Sequence, residues 1–191
     1  MRFEELSEQV YEDLNGRVTA IIKEDRTYQV IFECDDWLSP DRQRRFTLEF
    51  ENVAEFHVIP RECGTIRTAV DHPLLWDHNE KHSSIYFSSS PDNPAEFLGL
   101  LYSAHQSLLS GWRPLGQYLH AGLSLLQKGD GLLAEGPTRV IEAYASVANG
   151  RVRYSIIHNH TPRGGYQIVF FEEDYIICQA LPVISSDMNN L

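Results

Sequence analysis

No run in this 191-residue chain approaches the roughly 20 apolar residues that cross a bilayer, so no transmembrane helix is expected. The N-terminal stretch MRFEELSEQVYEDL lacks both the basic start and the continuous apolar segment of a secretory signal. With no export signal read there, the expected location is the cytoplasm. Cysteine is scarce: Cys34, Cys63 and Cys178 are odd in number and far apart. With no C-x-x-C pair, neither a disulfide framework nor a cysteine zinc site is indicated. Cys34 ends the alternating run YQVIFEC and Cys178 lies inside YIICQA. In such places a thiol serves as a small apolar core residue rather than a nucleophile.

Other absences narrow the chemistry. There is no G-x-S-x-G elbow to expose a serine nucleophile. GDGLLAEGPT has glycines but neither the Walker lysine nor the dinucleotide spacing, so no phosphate-cradling loop is read. No internal repeat or low-complexity segment occurs, and no cofactor is implied. Basic residues are few: 16 Lys and Arg against 27 Asp and Glu leave a net charge of −11. Such a surface repels phosphate backbones, which argues against a nucleic-acid partner. The densest basic cluster, Arg42 to Arg45, sits beside Asp35, Asp36 and Asp41 and reads as locally neutralised. The surplus acidity fits solubility or a basic protein partner.

What is present is a globular composition, 42% hydrophobic and 23% charged, from which a buried core is expected. Phe3, Leu6, Val10 and Leu14 mark one face of an N-terminal helix, and Asn15-Gly16 ends it. Period-two alternation follows. Val18, Ala20 and Ile22 share a face, as do Tyr28 to Cys34, Phe46 to Phe50, and Ala54, Phe56 and Val58. The polar stretch DDWLSPDRQR reads as a longer connection among shorter ones. Residues 17–60 therefore read as a four-stranded antiparallel meander with one buried face. Pro60, Gly64 and Pro73 then interrupt the pattern.

Beyond a short strand at SIYFSS, Asn93, Pro94 and Glu96 form a helix start. Phe97, Leu101, His105 and Leu108 make the stripe of that helix. A second helix is expected from Leu115 to about Leu126 and a third from Pro137, ending at Gly150. RVRYSIIHNH, YQIVFFE and YIICQALPVI read as closing strands. The fold class is α+β: an N-terminal antiparallel β meander with one amphipathic helix, then a unit of about three helices and three to four strands. Expected boundaries are a β-rich unit at 1–62, a connector at 63–84 and an α+β unit at 85–191.

The chemically densest stretch is DHPLLWDHNEKH, residues 71–82. His78 and His82 lie four apart, so a helical turn would put them on one face, with His72 returning as a third ligand. His158 and His160 alternate on a strand and point the same way. These five histidines define a possible metal site, and with it a metal-dependent hydrolase. The H-E-x-x-H template fails, however, because Asn79 follows His78 and Glu80 falls on another face. The plainer reading is a solvated connector in which Leu75 and Trp76 plug into the core. His105, on an apolar stripe, reads as a satisfied core histidine.

Trp37, flanked by Asp35, Asp36 and Asp41, has the makings of an interface anchor. The leading expectation is thus a non-enzymatic protein-binding or regulatory module, of inhibitor or immunity type, that takes a basic partner through these four residues. Self-association through a sheet edge or the broad apolar helix is a third reading.

Overall fold

A computed structural model describes the chain apart from residues 12, 13, 26, 160, 161, 163 and 189–191, and apart from the side chains at 40, 41, 187 and 188. In chain order the elements are α1 (Phe3–Gln9), β1 (Arg17–Glu24), β2 (Thr27–Asp36), β3 (Ser39–Phe50), β4 (Val53–His57), β5 (Arg61–Glu62) and β6 (Ile66–Ala69). There follow α2 (Trp76–Asn79), β7 (His82–Phe87), α3 (Pro94–Leu109), α4 (Leu123–Lys128), β8 (Gly131–Pro137), α5 (Thr138–Ala148) and β9 (Tyr154–His158). β10 (Gln167–Phe171), β11 (Asp174–Cys178) and β12 (Val183–Met188) complete the chain. The fold is α+β and mostly sheet. No described helix is long and apolar enough to cross a membrane.

The chain divides into two compact units, Met1–His72 with Gly165–Leu191, and Pro73–Gly164. The expected boundaries at 62 and 84 give way for a physical reason. A strand alternation reveals which face is buried, not which strand lies alongside, and β10 to β12 find their partners in the N-terminal unit.

In the first unit a five-stranded sheet, ordered β12-β3-β2-β1-β5, shares one core with a four-stranded sheet, ordered β4-β11-β10-β6. The four-stranded meander expected over 17–60 is therefore three strands long. β4 leaves it to pair with β11, setting Phe56 opposite Ile176. Phe32, Phe46, Phe50 and Leu48 from the larger sheet meet Val169, Phe171, Ile176 and Cys178 from the smaller. Each fully buried side chain of this size contributes about 1.5–3 kcal/mol. Phe3, Leu6, Val10 and Leu14 from the N-terminal segment join the same core.

A bulge between Val18 and Ala20 shifts the alternation of β1. The inward residues are thus Val18 and Ile21, while Ile22 is 42% exposed. The stretch read as a long polar connection is a tight hairpin, its ladder running out to Asp36 opposite Ser39. Cross-strand charge pairs replace apolar contacts there, which hides the strand from a hydrophobicity reading.

The second unit is built on a three-stranded antiparallel sheet, ordered β8-β7-β9. Its central strand, His82–Phe87, overlaps the expected SIYFSS segment and starts two residues earlier. β8 is the segment GLLAEGP, to which the sequence pattern assigns no strand. Gly136 is required because φ is +159° and a Cβ would come within 2.5 Å of the Tyr118 ring. α5 buries Val140, Ile141, Tyr144, Ala145 and Ala148, and α3 buries Phe97, Leu101, His105 and Leu109. The α3 start is as expected, with Asn93 accepting the Glu96 N–H at 3.2 Å.

The helix expected over 115–126 is broken. One 3-10 turn (Leu115–Gln117) precedes an extended stretch that lies along β8, and α4 begins only at Leu123. In that stretch His120 N–H and Ala121 N–H donate to the Leu133 carbonyl, and Glu135 N–H donates to the Tyr118 carbonyl. Gly116 and Gly122 lower the helical preference enough for β pairing to win.

Candidate functional site

At the hairpin tip expected to meet a partner, Asp36 and Trp37 are engaged within their own unit, while Leu38 at the turn is 75% exposed. Asp36 is 7% exposed, and its Oδ1 accepts the Leu38 N–H at 3.1 Å. The same oxygen lies 2.8 Å from Arg44 Nε in an ion pair. The Arg44 guanidinium covers the Trp37 ring at 4.1 Å, and that ring lies parallel to Phe46, 6.3 Å away. Asp35 accepts the Asn15 amide N–H at 2.6 Å. The Asp41 side chain lies outside the described residues. Asp36 and Trp37 thus clamp the hairpin. Asp36→Asn is expected to lower stability by ~2 kcal/mol in urea unfolding, because a buried charge-assisted contact is lost. A change under ~0.5 kcal/mol, normal for a surface position, would show that the clamp carries no load.

The described members of the expected metal set each have other surroundings. His72 belongs to the first unit, where it packs edge-on against Phe170 at 5.1 Å. His78 and His82 belong to the second. His78 is half-buried in α2, and His82 Nε2 lies 3.1 Å from the Asp77 carbonyl. His158 Nδ1 lies 2.9 Å from Ser83 Oγ. His160 lies outside the described residues. Among the described residues, no group of three or more His, Cys, Asp or Glu is placed to hold a metal ion. Leu75 and Trp76 are buried plugs, as the connector reading expects.

Two polar constellations in the second unit escape sequence reasoning, since each joins residues far apart in the chain. In the first, Asp77 Oδ2 accepts from the Tyr118 hydroxyl and the Gln117 amide, both at 2.9 Å. It also pairs with Arg113 Nε at 3.2 Å, and Arg113 Nη2 donates to the Leu74 carbonyl at 3.1 Å. His105, fully buried, binds the Arg113 carbonyl through Nε2 at 2.7 Å and the Tyr144 hydroxyl through Nδ1 at 2.8 Å. A carbonyl only accepts, so Nε2 carries a proton. Both ring nitrogens are engaged, which makes His105 the satisfied core histidine its stripe implied.

In the second constellation, Ser83 Oγ sits between Thr138 Oγ1 at 2.8 Å and His158 Nδ1 at 2.9 Å. Thr138 Oγ1 donates onward to the Lys81 carbonyl at 2.9 Å. A serine bonded to a histidine is the start of a nucleophilic dyad. Here, however, Ser83 has no exposed surface, so no substrate carbonyl reaches it. The chain of hydroxyls ties the start of α5 to β7 and β9.

In the first unit a polar cleft of ≈380 Å³ opens beside the β1–β5 edge. Gly16 and Cys63 form its floor. Cys63 N–H donates to the Gly16 carbonyl at 2.8 Å, and any Cβ on Gly16 would collide with the Cys63 carbonyl oxygen. Glu62, Glu172, Asn15, Gln43 and Arg17 line the walls. Glu172 is held in the left-handed region, φ +57°, by the tight β10–β11 turn, and its Oε1 accepts the Gly64 N–H at 2.5 Å. Arg17 is committed to Glu33 at 3.0 Å. Burial pushes the Cys63 thiol up to about 12, so the floor offers no thiolate. Two carboxylates and two amides in one cleft suit an incoming ammonium or guanidinium.

The fold also decides where the charge sits. The first unit carries 20 acidic and 9 basic side chains, and the second carries 7 of each. The entire net charge of −11 therefore belongs to the first unit. No protein-family model matches this chain, and neither a curated protein nor a solved structure does so.

Proposed function

We propose that this protein is a non-enzymatic binding module that takes a basic protein partner on its acidic β-sheet unit. The carrying observation is the segregation of charge, with a net of −11 on one unit and none on the other. A field concentrated on one unit steers a basic partner to that unit and speeds encounter. The cleft lined by Glu62 and Glu172 is the recognition point for a Lys or Arg side chain of the partner. Engagement of Asp36 and Trp37 in internal contacts supports the cleft rather than the hairpin tip as the recognition point.

The test uses an arginine-rich peptide, with a glutamate-rich peptide as control, and titration calorimetry at low and moderate salt. Binding of the basic peptide alone is expected, weakening about tenfold or more as salt screens the field. Glu62→Gln combined with Glu172→Gln is expected to weaken it by about tenfold at low salt. A basic peptide that fails to bind, or binds equally to protein and variant at both salt levels, would remove the proposal.

A further inference from the structure

The second unit, electrically neutral, presents a different kind of surface. Its sheet has two edges, and among the described residues only one is covered. The β8 edge is occupied by the stretch from Tyr118 to Ala121, which bridges to it at Leu119 and Ala134. β9 has a strand neighbour on one side only, among the described residues.

The ladder phase shows which β9 groups are left over. Ser88 N–H donates to the Arg153 carbonyl at 2.8 Å, and Asn159 N–H donates to the His82 carbonyl at 2.9 Å. With the register running from Ser83 opposite His158 to Phe87 opposite Tyr154, residues 153, 155, 157 and 159 bond inward to β7. The N–H and C=O groups of Tyr154, Ile156 and His158 therefore point away from the sheet.

Such an edge is normally blunted by proline, lysine or a bulge. β9, YSIIH, has none of these. Every residue of it but Ile156 is exposed, with Ile157 at 52% and Tyr154 at 37%. Ile157 shares its sheet face with Tyr86, itself 40% exposed.

The strand is complementary to itself. In an antiparallel pairing centred on Ile156, that residue faces its own copy, Tyr154 faces His158, Ser155 faces Ile157, and Arg153 faces Asn159. No two like charges oppose each other. About six interchain N–H to C=O bonds form, all from groups that the β7 ladder leaves over. A charged peptide finds no counter-charge along YSIIH, whereas a second uncharged strand loses nothing there. The balance of 7 acidic and 7 basic side chains lets two such units approach without the repulsion two acidic units would meet.

We propose that β9 is a homodimer interface, pairing antiparallel with β9 of a second copy about a two-fold axis at Ile156 and joining the two three-stranded sheets into one. The contact leaves the acidic cleft out, so the dimer and the basic-partner reading stand or fall separately. Because a single short strand buries little area, dissociation is expected on the order of 10–100 µM.

Sedimentation equilibrium of the full chain, from about 1 to 300 µM, tests this against two variants. Tyr154→Pro removes an outward N–H and keeps the β7 ladder. Ile157→Lys brings two ammonium groups near the dyad on one face. Each is expected to raise the dissociation constant at least tenfold, with the melting temperature of the dilute protein unchanged within about 4 °C. Amide exchange of the native protein supplies an independent readout. Tyr154, Ile156 and His158 N–H groups are expected to gain protection at high concentration. A native chain that stays monomeric throughout, a dimer indifferent to Ile157→Lys, or edge amides that gain no protection would each overturn the proposal.

Discussion

Asp77→Ala is expected to destabilise the second unit by about 3–5 kcal/mol, the usual cost of leaving one member of a buried ion pair without its partner. The side chains of Arg113 and Asp77 are only 10% and 17% exposed. Removing the carboxylate takes the ion-pair partner from the Arg113 guanidinium and the acceptor from the buried Tyr118 hydroxyl at once. Tyr118 is itself 2% exposed, so water offers it little relief. The charged pair is not required for a folded core, and replacing both members by apolar groups is often neutral. The combination Asp77→Leu with Arg113→Met is therefore expected to recover much of the loss. Urea unfolding of the native protein, the two single variants and the double variant yields the coupling directly. Singles that cost under ~1 kcal/mol, or strictly additive costs, would show that Asp77 and Arg113 are solvated.

Raising the pH from about 9 towards 12 is expected to unfold the first unit cooperatively, at alkali that most carboxylate-rich surfaces tolerate. Burial pushes the thiols of Cys34 up to about 11 and of Cys63 and Cys178 up to about 12, against ordinary values near 9. All three have relative exposures of 1% or less. In the unfolded chain the thiols ionise from about pH 9, whereas in the native state they stay protonated, so the unfolded state binds fewer protons over this window. Stability is therefore full below pH 9 and falls as pH rises towards the native values. The slope is about 1.4 kcal/mol per pH unit for each thiol, against a total stability of typically 5–15 kcal/mol.

The second unit follows by the same sign, starting higher. Burial raises the Tyr118 phenol, reinforced by the Asp77 carboxylate, and burial raises that of Tyr144. Urea midpoints measured at pH 8, 9.5 and 10.5 check both units. A midpoint that stays level across the three would refute the argument, as would native-state reaction of the thiols with a disulfide reagent at pH 8.

Several elements were legible in the residues themselves. The α3 start follows from Asn93, Pro94 and Glu96, since a capping side chain and a fixed φ act locally. The inward sets Tyr28 to Cys34 and Phe46 to Phe50 follow from period two alone, and all pack into the first core. The burial of His105 follows from its stripe.

Failures occurred where a long-range contact overrode the local pattern. GLLAEGP carries no strand signal of its own, and it becomes one only with β7 and the stretch at Tyr118 to Ala121 on either side of it. Leu115 to Leu126 has helical spacing, yet its middle gains backbone partners on β8 that a helix would forgo. At the hairpin, the neutralisation of Asp35, Asp36 and Asp41 by Arg42 to Arg45 is legible in the residues, whereas the stacking of Arg44 over the Trp37 ring is a tertiary contact. The acidic cleft joins Asn15, Glu62 and Glu172 from three distant segments, so no spacing rule could have found it.

The amino-acid sequence by itself determined the acidity, the buried thiols and the inward faces of the strands. These depend on composition and on periods of two and 3.6 residues, which any chain expresses locally. Only the tertiary structure decided that β10 to β12 return to the N-terminal unit, that the surplus charge therefore gathers on one unit, and that Asp77 meets Arg113. Strand pairing and charge meetings are contacts between distant segments, stabilised jointly by burial and by hydrogen bonds that neither partner makes alone. The β9 edge, which has a strand on one side only among the described residues, is likewise a product of strand order.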